Sequence, residues 1–129
     1  MNRSLLIAGG LFGVIAIILG AFAAHGLKPL LSLESMQTFE TGVKYQMYNA
    51  LFLLFLGGLP IASEKVKKIC FYLTVFGVVF FSGSIYLLAT NNLTSFDFRV
   101  IALVTPLGGS LMILAWIVLL ISFFKLKKK

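Results

Sequence analysis

The stretch SLLIAGGLFGVIAIILGAFAA, from Ser4 to Ala24, contains no charged side chain. A helix rises about 1.5 Å per residue, so a stretch of this length crosses the roughly 30 Å of hydrocarbon in a bilayer. Three later stretches share its length and its apolar character: Tyr45–Ala62, Ile69–Thr90 and Val100–Phe124. Because a bilayer interior offers no water to backbone groups, such runs must form helices. The sequence therefore predicts an all-α integral membrane protein built as a bundle of four transmembrane helices.

The composition supports this prediction, since 60% of the residues are hydrophobic and only four are acidic. At about 25 residues per pass, one four-helix unit accounts for the chain, so we expect a single transmembrane domain over residues 1–129. The net charge of +7 comes from short basic runs at the ends of the predicted helices. Anionic lipid headgroups would meet those runs, so we expect membrane lipids and not nucleic acid as partners.

The distribution of basic residues predicts an orientation. The connection 63–68 carries three lysines, the tail 125–129 carries four more, and Arg3 adds one near the start. With four spans these three segments share one side of the membrane. The other side carries fewer basic residues: Lys28, Lys44 and Arg99. The positive-inside rule then places both termini in the cytoplasm.

A stripe of small residues follows one face of the first predicted helix: Gly9, Gly13, Ala16, Gly20 and Ala24. In lipid, close contact over small residues is a main source of helix association. The stripe fits either a homodimer contact or packing within one chain, and we favour packing within the chain because a bundle needs a close internal seam. Gly108 and Gly109 make the fourth predicted helix thin in the same way.

The segment His25-Gly26-Leu27-Lys28-Pro29 predicts a helix end. Gly26 suits a left-handed capping position, and Pro29 prevents the helix from continuing. His25 is the only histidine in the chain, and one imidazole cannot build a metal site. We therefore expect a histidine at the helix terminus, with no metal and no cofactor.

The next segment predicts a short amphipathic helix between helices 1 and 2. Ser32 can cap it, and apolar residues recur at helical spacing: Leu33, Met36, Phe39, Val43 and Met47. We expect this helix to lie in the outer membrane interface and to turn near Gly42 into the second transmembrane helix.

Under this topology, polar side chains from all four helices lie in the outer half of the membrane. The candidate cluster contains His25, Tyr45, Gln46, Tyr48, Asn49, Ser82, Ser84, Tyr86 and Thr105. These side chains can bond neighbouring helices together, with the tyrosines as interfacial anchors. They can also line an outward-facing pocket for a lipid headgroup or a small solute. The sequence leaves both interpretations open.

Four segments, Gly20–Leu27, Phe39–Leu51, Phe81–Leu88 and Thr105–Trp116, together resemble the signatures of one family. It is a small four-helix bacterial membrane family of unknown function, related to a eukaryotic small transmembrane protein. The resemblance implies the four-helix fold and a multi-pass location in the bacterial plasma (inner) membrane, but no established reaction. The family often shows a histidine where this chain has Asn49. Asparagine can donate and accept hydrogen bonds but does not titrate near neutral pH, which disfavours a proton relay.

We expect a structural or interaction role in the envelope, with a homo-oligomer or other membrane proteins as partners. Binding or transport of a lipid or small solute is the alternative. We do not expect an enzyme, because the sequence shows no nucleophile with a positioned base, no metal-ligand cluster and no paired carboxylates. Asp97 and Arg99 are candidates for a functional electrostatic role beside the fourth helix, although charged side chains in a loop are usually solvated.

Overall fold

The computed structural model describes residues 1–93 and 102–127, and in this part of the chain the fold is all-α. The elements are α1 (Asn2–Phe22) with a π-helical continuation (Ala23–Leu27), α2 (Leu33–Gly57), α3 (Glu64–Ala89) with a 3₁₀ turn (Asn91–Leu93), and α4 (Val104–Phe124). Val100, the predicted start of the fourth helix, lies outside the described residues, as do Asp97 and Arg99. Among the described residues, three helices are long and apolar enough to cross a membrane: Asn2–Leu27, Glu64–Ala89 and Val104–Phe124. The fourth, α2, carries charged side chains in its first half.

Consecutive helices pack against one another, so α2 and α3 occupy the centre, with α1 against α2 and α4 against α3. The backbones of α2 and α4 hardly approach each other in the described part of the chain. This arrangement leaves α2 and α4 connected chiefly through their side chains.

The small-residue stripe of α1 lies against α2. A Cβ atom added to Gly9 would come within 2.9 Å of the Ala50 carbonyl oxygen and of Leu54 Cγ. Further along α1, a Cβ on Gly13 would lie 3.9 Å from Ala50 Cβ, and one on Gly20 would lie 3.6 Å from Val43 Cγ1. The two helices therefore run antiparallel and approach most closely at Gly9. Of the other two stripe residues, Ala16 is fully buried and Ala24 is exposed.

The contact between α3 and α4 is closer still. A Cβ on Gly108 would overlap the backbone nitrogen of Phe81 and lie 2.7 Å from the Gly77 carbonyl oxygen. On the other side of the contact, a Cβ on Gly77 would lie 2.7 Å from Met112 Cγ. A Cβ on Gly109 would meet only the ring of Phe81, at 3.4 Å from Cδ1 and 3.7 Å from Cε1. Gly108 and Gly77 thus allow the two backbones to touch.

The end of the first helix differs from the predicted one. None of the described glycines has a positive φ, so the prediction of a left-handed cap at Gly26 is wrong. The helix instead widens into one π-helical segment and ends where the Leu27 carbonyl oxygen accepts from Leu30 N–H at 2.8 Å and Leu31 N–H at 3.0 Å. A Cβ on Gly26 would lie 2.7 Å from the ring of Phe22, so this glycine provides space for that ring.

The start of α2 also differs from the predicted one. Ser32 caps the helix as expected, since its Oγ accepts from Ser35 N–H at 3.1 Å. However, α2 is one continuous helix, so the predicted turn at Gly42 is wrong and the amphipathic segment forms the first turns of α2. A Cβ on Gly42 would lie 2.8 Å from Tyr86 Cε1 and 3.0 Å from Ile85 Cγ2. The glycine therefore serves the close approach of α3 and not a bend.

The start of α1, the turn between α2 and α3, and the end of α4 meet at one end of the bundle. Buried residues from all four helices pack there: Leu5, Phe52, Leu53, Leu56, Cys70, Ala115 and Leu119. At the edge of this cluster the buried Lys67 donates to Asn2 Oδ1 at 2.8 Å, and the N-terminal ammonium lies 3.7 Å from Glu64 Oε2. Cys70 is buried, and its thiol donates to the Ala115 carbonyl oxygen at 3.4 Å.

Candidate functional site

Gln46 connects three helices. It lies on α2 and is only 4% exposed. Its Nε2 donates to the Phe12 carbonyl oxygen of α1 at 2.9 Å, and its Oε1 accepts from the hydroxyl of Tyr86 on α3 at 2.6 Å. Both polar atoms of the side chain are therefore occupied by protein groups.

Asn49, one turn further along α2, points towards α4. Its Nδ2 donates to the Tyr45 carbonyl oxygen at 2.8 Å and to Met112 Sδ at 3.2 Å. Its Oδ1 accepts from the indole N–H of Trp116 at 3.2 Å. Like Gln46, the buried Asn49 has protein partners at both ends of its amide group.

Three hydroxyl side chains make further bonds in the same half of the bundle. Ser82 on α3 donates to the Gly42 carbonyl oxygen of α2 at 2.7 Å. Ser84 and Thr105 share a hydrogen bond of 2.5 Å between α3 and α4, and Ser84 also donates to the Phe81 carbonyl oxygen at 2.9 Å. The structure thus brings six predicted site residues into bonds between helices: Gln46, Asn49, Ser82, Ser84, Tyr86 and Thr105.

The remaining predicted site residues are exposed. Tyr45 and Tyr48 contact each other edge to face, with ring centroids 5.5 Å apart, and Tyr45 also contacts the ring of Phe81 at 5.3 Å. His25 is exposed in the π-helical segment and makes no side-chain hydrogen bond with any described residue. It therefore does not join the bonded cluster.

A long groove separates α2 from α4. Its volume is about 1230 Å³, and its walls are almost entirely apolar. Among the lining residues are Tyr45, Phe52 and Phe55 from α2 and Gly109, Trp116 and Phe123 from α4. Two of the lining residues, Phe52 and Trp116, contact each other with ring centroids 4.6 Å apart.

The sequence did not predict this groove. Its α4 wall follows helical spacing, with Gly109, Met112, Trp116 and Phe123 separated by three, four and seven residues. The sequence shows that periodicity, but a helix that is apolar on nearly every face gives no contrast between the groove wall and its other faces. The groove exists because α2 and α4 are both held by α3 and not by each other.

The described residues contain no group of three or more His, Cys, Asp or Glu side chains that could hold a metal ion. One buried polar atom in the described part of the chain lacks a hydrogen-bond partner, the hydroxyl of Thr74 on α3. Thr74 is fully buried and does not line the groove.

The long apolar helices and their buried interhelical bonds define an all-helical membrane protein. Residues 19–109 match the model of a family described as "Protein of unknown function (DUF423)", and the chain belongs to this family. The expected resemblance to a small bacterial membrane protein family of unknown function is thereby confirmed.

Relatives cover nearly the whole chain. It is 39% identical to the UPF0382 membrane protein SSP2132 of Staphylococcus saprophyticus, over 94% of this chain and 97% of that protein. It is 36% identical to the UPF0382 inner membrane protein YgdD of Escherichia coli K12, over 99% of this chain and 95% of that protein. No solved structure matches the chain. The family and its relatives place this chain among integral membrane proteins.

Proposed function

We propose that this chain is a four-span protein of the bacterial inner membrane with a structural or interaction role in the envelope, without enzymatic activity. The bonding of its buried polar side chains supports this role. Gln46, Asn49 and the Ser84–Thr105 pair each bond to a neighbouring helix instead of presenting a free group to a ligand. Interhelical bonds of this kind contribute about 0.6 kcal/mol each on average in membranes.

The position of α2 supports a fourth span. Its residues 43–57 run beside residues 5–20 of α1, which is long and apolar enough to cross a membrane. At about 1.5 Å per residue this shared length is about 21 Å. The polarity of Gln46 and Asn49 does not oppose insertion, because both side chains are buried and bonded to other helices.

The first turns of α2 extend beyond this shared length. Met36 and Phe39 pack against Ala23, Leu27 and Ala89, whereas Leu33 is 77% exposed. We place this segment in the outer membrane interface, where an amphipathic helix can bury one face against protein and lipid. The whole chain then forms one transmembrane domain.

The orientation follows from the shared end of the bundle. Arg3, the start of α3 at residues 63–68 and residues 125–127 lie at that end, where Lys65 and Lys68 are exposed. The positive-inside rule assigns this end to the cytoplasm, so both termini are cytoplasmic.

Cysteine labelling tests the topology. In a Cys70→Ala background, Gln37→Cys is expected to react in intact cells with a reagent that cannot cross the membrane. Lys65→Cys is expected to react only after the cells are opened. Both native side chains are exposed, so neither substitution disturbs packing. The reverse pattern would contradict the proposed orientation. If Gln37→Cys and Lys65→Cys reacted equally in intact cells, or were equally protected there, both positions would lie on one side of the membrane, which would contradict a spanning α2.

The structural role is tested in cells that lack the chain. We expect weakened resistance to osmotic and detergent stress, restored by the wild type and by Gly109→Ala. Gly108→Leu is expected not to restore it, because the side chain would separate α3 from α4. Restoration by an unfolded variant, or the absence of any envelope defect, would contradict this role.

Lipid or solute binding is the second candidate function. The groove between α2 and α4 favours it, with the exposed Tyr45 and Tyr48 at one end. The polar cluster itself gives less support, because its buried members are already bonded to protein.

A further inference from the structure

The groove between α2 and α4 is open along its side. In a spanning bundle that opening faces the bilayer, so acyl chains are the molecules that meet it. We propose that the groove binds one acyl chain of an anionic phospholipid whose headgroup lies beside Lys44. This inference goes beyond the structural role, but it rests on the proposed position of α2 in the membrane.

The length of the groove fits one acyl chain. Its lining runs from Thr41 to Phe55 on α2 and from Gly109 to Phe123 on α4. At about 1.5 Å per residue each wall is about 21 Å long. One leaflet occupies about half of the roughly 30 Å hydrocarbon core. An extended chain that enters from one leaflet therefore lies within the groove along its full depth.

The chemistry of the walls selects a hydrocarbon chain over a polar solute. Phe52, Trp116 and Phe123 present carbon surfaces along the groove. The polar side chain in its base, Asn49, has its amide group bonded to Met112 and Trp116. A polar solute would find few free partners there, whereas methylene groups gain dispersion contacts against the aromatic rings.

The two ends of the groove differ in their polar side chains, and this difference indicates at which end the headgroup lies. At one end the wall contains Tyr45 and Tyr48, whose hydroxyls can donate to a phosphate, and Thr41, whose hydroxyl donates to the Gln37 carbonyl oxygen at 3.0 Å. The exposed Lys44 lies among these three residues in sequence and forms no salt bridge with Glu40. This end thus offers a cation and hydroxyl donors, which complement an anionic phosphate group.

The opposite end lacks hydroxyl donors. Its wall contains Phe55, Leu120 and Phe123, and the exposed Lys125 lies beyond it. The end near Lys125 is the weaker headgroup site because its wall has no hydroxyl donors beside the cation. Lys125 therefore provides a matched control for Lys44.

Trp116 is the only tryptophan in the chain, and it lines the groove, so its fluorescence reports on the occupant. The protein is reconstituted in phosphatidylcholine vesicles that contain increasing mole fractions of one lipid with brominated acyl chains. Brominated phosphatidylglycerol is compared with brominated phosphatidylcholine. One lysine near an anionic lipid corresponds to about a five-fold preference. We therefore expect half-maximal quenching at about a five-fold lower fraction of phosphatidylglycerol.

The charge variants test the headgroup position. Lys44→Gln is expected to remove the preference, so that both brominated lipids quench equally. Lys125→Gln is expected to retain it. Loss of the preference in Lys125→Gln but not in Lys44→Gln would overturn the assignment, and so would equal quenching by the two lipids in the wild type.

A pair of groove variants tests the position of the chain. Ile113 lines the groove and is 61% exposed, whereas its neighbour Leu114 is 47% exposed and lies outside the lining. Ile113→Phe is expected to fill the groove and to reduce the phosphatidylglycerol preference. Leu114→Phe is expected to leave it unchanged, and both variants are expected to melt like the wild type. Equal effects of the two variants would overturn the proposal.

A second copy of the chain is the competing occupant. A second copy would shield Trp116 from both brominated lipids. Ile113→Phe would then change the dimer fraction measured by cross-linking, and this result would overturn lipid binding. Failure of the topology is detected separately, by the cysteine labelling of α2, which does not depend on Trp116.

Discussion

Helix α4 packs in opposite ways against its two neighbours. It contacts α3 backbone to backbone, whereas a groove separates it from α2. Where α4 presents Gly108, its backbone touches that of α3 at Gly77. Where α4 presents Trp116, its backbone stays away from α2, and side chains such as Phe52 and Asn49 connect the two helices. In lipid no hydrophobic effect closes such a gap, so side-chain size decides whether two helices touch.

The largest effect is expected at the close contact itself. Gly108→Ala places a methyl group on the backbone of α3, which cannot yield as a flexible side chain would. We expect a loss of stability of about 1 to 3 kcal/mol or more. Gly109→Ala is the matched control, since its methyl group meets only the ring of Phe81. Thermal unfolding in detergent measures both, and equal melting temperatures would show that the contact is not close.

The seam between α1 and α2 is expected to be less sensitive. Gly9→Ala brings a methyl group against Ala50 and Leu54, and Leu54 can move partly aside. We expect a loss of about 1 kcal/mol, at the lower end of overpacking costs. Gly10→Ala is the control, because a Cβ there has open space around it. A homodimer contact would reverse this order and would make the loss depend on protein concentration.

The side-chain connection across the groove is expected to contribute less again. Asn49→Ala removes the bonds to Met112 and Trp116 and should cost about 0.6 kcal/mol, with an upper limit near 1.7. Ser110→Ala, which removes a bond within α4 on an exposed face, is the control. The indole emission of Trp116 should shift in Asn49→Ala alone. An unchanged emission would mean that Trp116 is not bonded to Asn49.

The smallest effect should have the opposite sign. Thr74→Val replaces a buried hydroxyl without a partner by a methyl group of the same shape. Such an exchange is nearly neutral or stabilising, so we expect a gain of up to about 1 kcal/mol. A loss of stability in the same melting experiment would indicate a hydrogen-bond partner for Thr74, such as a bound water.

Some features were predictable because their signals are local. Ser32 caps α2 because a hydroxyl that precedes a helical run can accept from a free backbone N–H. The glycines of α1 and α4 were recognised as packing positions because small residues at helical spacing form one face. The predictions for Gly26 and Gly42 failed for one shared reason. Glycine can serve a turn or a close approach, and local sequence does not distinguish the two. Here Phe22 and Tyr86 occupy the space beside them.

The sequence by itself determined an all-helical membrane protein with basic residues grouped at one end, because bilayer thickness and backbone hydrogen bonding leave few other solutions. Only the tertiary structure decided which partner each polar side chain takes, such as Phe12 and Tyr86 for Gln46. It alone also decided that α2 and α4 remain apart along an apolar groove. Apolar faces look alike in a sequence, so their neighbours follow from the packing of all the helices together.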